Sequence, residues 1–177
     1  LAESDKKPSQ PRPPIKVARH FTVTVIPSRH SAPIPGINDD LGKTIDTPLR
    51  QPAAKDAYAE GGSYDILIHH RGRSILIKPS AAYLAGALDH IRADVLFLGI
   101  TGLGSKPASY RADFYQNTVA KVRAKHVIPI HWDNFFCPLS EKLPLLDPRD
   151  QRGLTDLQPR LQSHRRHHHL LPGYQTP

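Results

Sequence analysis

The sequence predicts an α/β fold, a sheet covered by helices, on three observations. Short runs of β-branched and aliphatic residues recur at Phe21–Ile26, Tyr64–His69, Ser74–Ile77, Asp94–Leu98 and His126–Ile130. Residues 108 to 124 carry apolar side chains at helical spacing between the last two of these runs. The order hairpin, helix, strand, helix, strand is that of a sheet whose later strands run parallel and are joined by crossovers.

Each element has its own signal. Phe21 to Ile26 alternates with period two and is closed by Pro27, which leaves Ser28, Arg29 and His30 just past a strand end. Prolines, glycines and Asn38-Asp39-Asp40 break every period between Ser31 and Gly62, so a long loop of the kind that covers a site is expected. The next two runs flank Arg71-Gly72-Arg73, a hairpin pattern. After Pro79-Ser80, the Ala/Leu-rich residues 81 to 91 predict a short helix despite Gly86. Asp94–Leu98 is a continuous apolar run, expected as a strand buried on both faces. Tyr110, Phe114, Thr118, Val119 and Val122 share one face of the helix that follows. The strand His126–Ile130 ends at His131-Trp132-Asp133, where Asp133 is placed to cap a helix opened by Asn134-Phe135-Phe136.

With 177 residues, 38% of them hydrophobic, the chain holds one domain. The expected division is a Pro-rich basic arm at 1–20, a folded part at 21–143, and a low-complexity basic, His-rich tail at 144–177, both ends disordered or loosely packed. No apolar run approaches the roughly 18 residues of a membrane span. Cys137 is the sole cysteine, which excludes an internal disulfide, and it is expected as a small buried hydrophobe in a cytoplasmic protein. A start at Leu1 rather than Met, with no basic-then-apolar leader after it, is expected of a chain whose leader was removed or that starts inside a longer reading frame.

The net charge of +8 sits largely at the two ends and comes without an RNP-like aromatic pattern, a GxxG clamp or zinc-finger spacing. That favours a solvated surface over a nucleic-acid site. A non-catalytic basic module for nucleic acid or a protein partner is the alternative function. The cluster of His164, His167, His168 and His169 is expected to bind metal only adventitiously, because no fold fixes its geometry.

In such sheets, functional side chains gather beyond the carboxyl ends of strands. His30, Ser80 and His131 each follow a strand, and the two imidazoles are candidate metal ligands whose alternative is a structural, half-buried hydrogen-bonding role. Ser80 lacks the Gly-x-Ser-x-Gly elbow of a serine hydrolase, and the loop from Gly99 to Gly104 lacks the Lys-Ser/Thr of a P-loop. His69 and His70 point to opposite faces of one strand and cannot share an ion. Asp39 and Asp40 are oxygen donors expected to be solvated, while Trp132 is expected as a wall beside the site and Asp133 as a supporting group or cap.

One set of strings carries a resemblance. Gly61-Gly-Ser-Tyr-Asp-Ile-Leu-Ile68, Arg73-Ser-Ile-Leu-Ile77 with Pro79-Ser80-Ala81, Ala93-Asp-Val-Leu-Phe-Leu-Gly99 and above all Pro129-Ile-His-Trp-Asp133 stand in this order. From about Phe21 to Leu139 the chain resembles the C-terminal half of a bacterial metallo-β-lactamase-fold hydrolase. The resemblance implies the second half of an αββα sandwich, metal-dependent hydrolysis of a small-molecule substrate it leaves unspecified, and His30 and His131 as metal ligands. The family's HxHxDH motif is absent, and Ser80 stands where most of the superfamily has a metal-bridging Asp. The expectation is therefore a fragment that binds zinc or another divalent metal weakly, one ion at most, and is inactive alone. A sheet face lacking its partner layer should be exposed and drive self-association.

Overall fold

The computed structural model describes residues 11–32, 43–59, 61–163 and 167–168. Seven strands form a single sheet: β1 (Ile15–Ala18), β2 (Phe21–Pro27), β3 (Tyr64–His70), β4 (Arg73–Lys78), β5 (Val95–Gly99), β6 (His126–Ile130) and the two-residue β7 (His167–His168). Their order in the sheet is their order in the chain. β1 to β4 pair antiparallel, and β4 to β7 pair parallel. As a result β2, β4, β5 and β6 all point the same way, and their carboxyl ends share one edge. The β3–β4 turn is two residues long, with Arg71 and Gly72 both at positive φ, the backbone that matches the twist of a hairpin.

The pleat separates two apolar faces. Ile26, Leu67, Leu76, Leu96, Leu98 and Val127 lie on one of them, buried in the core. Against them pack Phe114 and Tyr115 of α1 (Ala108–Tyr115), Val119 of the π turn that continues it (Gln116–Ala120), and Leu154, Leu157 and Leu161 of α2 (Asp150–Ser163). Both helices therefore cover the same face. The cross-strand register puts Val23, Ile68, Ile75 and Val95 in one row of the opposite face, and Val25, Ile66, Ile77, Phe97 and Ile128 in the next. None of these belongs to the core cluster, and Ile66 is 36% exposed.

Several expectations need correction. The arm expected at 1–20 contains β1, which is exposed along its whole length and held by backbone pairing to β2, so burial left no mark in its sequence. The tail expected at 144–177 contains α2. Its three buried leucines are worth about 2–5 kcal/mol each when cut to alanine, which makes it part of the folded body. Residues 81–91 form successive turns with i to i−3 bonds at Ala87, Asp89 and Ile91 rather than a helix, because Gly86 sits at φ +82°. No helix opens at Asn134. Its side chain accepts the Phe136 N–H in a tight turn, and Asp133 pairs instead with Leu145 in an isolated bridge. β5 is fully buried only at Leu96, Leu98 and Gly99, since Val95 and Phe97 face the uncovered side. Cys137 is half-buried rather than buried. Asp39 and Asp40, and the histidines His164 and His169, lie outside the described residues.

Candidate functional site

The shared edge of β2, β4, β5 and β6 opens into a cavity of about 690 Å³. His30 and Ser31 reach it from the end of β2, Ser80 from β4, Thr101 to Lys106 from β5, and His131 from β6. Leu146 to Arg149, the approach to α2, close another wall. The three residues expected at strand ends thus meet in one cavity.

Hydrogen bonds hold the histidine segments in place. Ser80 Oγ accepts the Ser31 N–H at 2.8 Å and lies 2.8 Å from Ser31 Oγ, which fastens the segment after β2 to the segment after β4. His30 Nδ1 lies 2.9 Å from the Ser31 carbonyl oxygen, so Nδ1–H donates and Nε2 is the basic nitrogen. His131 adopts the left-handed backbone, φ +52°, at the last step of β6. For a non-glycine residue that conformation costs about 1–3 kcal/mol, a strain that accumulates at functional sites. Burial is the main influence that lowers the His131 pKa, and His30 lowers it further, against the opposing charges of Asp133 and Asp150. A neutral imidazole, the form that ligates metal, is favoured.

Trp132 and Asp133 do not line the cavity. The indole is buried in the core, and the Trp132 carbonyl accepts the Leu146 N–H at 2.9 Å, so this residue supports the wall from behind. Asp133 acts on His131 through its charge.

The residues not foreseen come mainly from the tail and from the loop after β5. Asp150 is fully buried and accepts the N–H groups of Gly102 and Gly104, both at 2.8 Å, clamping the loop that carries Thr101 and Lys106. Gly104 is obligatory at this clamp, since a Cβ there would stand 1.7 Å from the Arg149 carbonyl oxygen. A signal for α2 exists in Asp147-Pro148-Arg149. The Asp147 carboxylate accepts the Arg149 N–H at 2.9 Å, and a capping Asp followed by Pro is a helix-start pattern ahead of apolar residues 154, 157 and 161.

Among the described residues, no group of three or more His, Cys, Asp or Glu is placed to hold a metal. The two imidazoles fit as part of a zinc-type donor set and do not complete one. No helix of the described residues is long and apolar enough to cross a membrane. Comparison with family models and with curated proteins returns no match.

Proposed function

We propose that this cavity is the hydrolytic centre of a metal-dependent hydrolase of the metallo-β-lactamase superfamily, to which the present residues contribute two ligands, His30 and His131. The supporting observation is their convergence, with Ser80, on one cavity at the carboxyl ends of strands that run the same way. His30 and His131 would hold a zinc-type ion, which would lower the pKa of a bound water to about 7 and polarise the scissile group. The Nδ1–H bond of His30 to the Ser31 carbonyl orients its imidazole, burial keeps that of His131 neutral, and Ser80 holds the His30 segment in register. Catalytic zinc sites carry three protein ligands, so these residues alone give weak binding and negligible turnover. The uncovered sheet face is where the second sheet layer of the superfamily's sandwich would pack.

The test is zinc titration against a chromophoric chelator, using the full chain with His164, His167, His168 and His169 replaced by serine to remove competing imidazoles. One weakly bound ion per chain is expected, and His131→Ala or His30→Ala should weaken it at least tenfold. Zinc affinity that neither substitution changes rejects the shared site.

A further inference from the structure

Three features of the cavity lie outside any metal site. Lys106 lines it, and among the described residues no carboxylate lies within 4 Å of its ammonium. Arg149, also a lining residue, is already neutralised, its Nε and Nη2 lying 2.8 to 3.1 Å from the two Asp147 oxygens. Lys106 therefore has no anionic partner among the described residues, its ammonium lying 6.0 Å from the centroid of the Tyr110 ring. Next to it in the same loop, Thr101 lines the cavity with its Oγ1 buried beneath the surface and without a hydrogen-bond partner among the described residues. Native proteins rarely leave such a group unsatisfied.

The remaining feature is apolar. Phe135 and Phe136 line the cavity, lie 4.7 Å apart between ring centroids with their planes tilted by 40°, and stay 52% and 70% exposed. Aromatic rings this exposed beside a cavity match the usual composition of small-molecule sites, where apolar walls bind and a few polar groups orient.

We infer that the cavity binds an anionic molecule with an aromatic or alkyl body, its charged oxygens taken by Lys106 and its body laid on Phe135 and Phe136. Carboxylates and phosphates share this chemistry. As a substrate class the inference rests on the hydrolase reading, but as a binding site it needs no metal. The two can therefore fail separately.

The experiment titrates the full chain, in excess EDTA, with 1-naphthyl phosphate, 1-naphthoate and 1-naphthol by calorimetry. At least one anion is expected to bind about tenfold more tightly than the naphthol, the effect of one charge-assisted hydrogen bond. The anion that does so tells a phosphate site from a carboxylate site. Lys106→Ala should erase that preference while Lys106→Arg keeps it, and Phe135→Ser with Phe136→Ser should weaken all three ligands. Circular dichroism confirms that each variant is folded, and Lys106→Gln provides an independent loss of anion affinity should Lys106→Ala not fold. Equal affinity for naphthol and both anions, no binding, or an anion preference that survives Lys106→Ala overturns the inference. Zinc plays no part in the readout, so loss of the metal site leaves it intact.

Discussion

Lys78 has no exposed surface, and its Nζ sits 3.2 Å from Ser28 Oγ and 3.4 Å from each carboxylate oxygen of Asp65. Burial pushes Lys78 down and Asp65 up from their usual ranges, and each partner's charge opposes the other's shift. The pair ties together β4, β3 and the residue that follows β2, two positions before His30 and Ser80. Removing one partner leaves the other charge buried and alone, so Lys78→Ala should lower the unfolding free energy by about 3–5 kcal/mol. The double variant Lys78→Met/Asp65→Leu should recover most of that loss in urea titrations. Equal losses for the single and double variants would show that packing, not the lone charge, sets the cost. This pair was illegible in the sequence, where Lys78 reads as the polar end of a strand and Asp65 as its alternating polar residue. His30, Ser80 and His131 were legible because their position follows from where strands stop. Lys106 was not, since only the folded loop shows that it faces a cavity without a counter-charge.

At the scale of elements, α2 both completes the core and sets the shape of the site. Its first residue, Asp150, satisfies two backbone N–H groups of the loop after β5, and burial raises its pKa despite those bonds. Asp150→Ala should leave both donors unpaired in a closed space, costing about 2–3 kcal/mol. Amide exchange at Gly102 and Gly104 should accelerate well beyond that at Leu96 and Leu98 of β5. Uniform acceleration across the sheet would instead mark a global loss of stability and remove the special role of the clamp. Strand elements were readable because β2 alternates with period two and β3 to β6 are short runs rich in aliphatic residues. The helix after Asp147 was overlooked because Arg and Gln dilute its apolar positions, leaving a single narrow leucine stripe. Gly86 and Asn134 defeated two expected helices for opposite reasons: one residue allows a left-handed turn, the other ties its side chain to the backbone two residues on.

Across the whole molecule the two sheet faces are unequal. One carries both helices, while the other presents Val23, Val25, Ile66, Ile68, Ile75, Ile77, Phe97 and Ile128 in adjoining rows. Contiguous apolar surface of this kind drives association, and two such faces can pack as aligned sheets. Sedimentation velocity should show the chain as a dimer or larger species at micromolar concentration, shifted toward monomer by Ile66→Lys. A monomer at every concentration that also melts cooperatively contradicts this. The α/β class was legible because alternation and helical spacing are local, whereas which face lacks cover is a property of the assembled sheet. Neighbours in this sheet are also consecutive in the chain, from β1 to β7. A polypeptide emerging from the ribosome can therefore add each strand to an edge already made, and the long connections before β3 and β7 add only slowly to the entropy of closure. The cavity is the exception, because its clamp at Asp150 is translated after every strand that borders it. During synthesis β1 to β6 precede the pocket, and binding competence waits for the residue that clamps it.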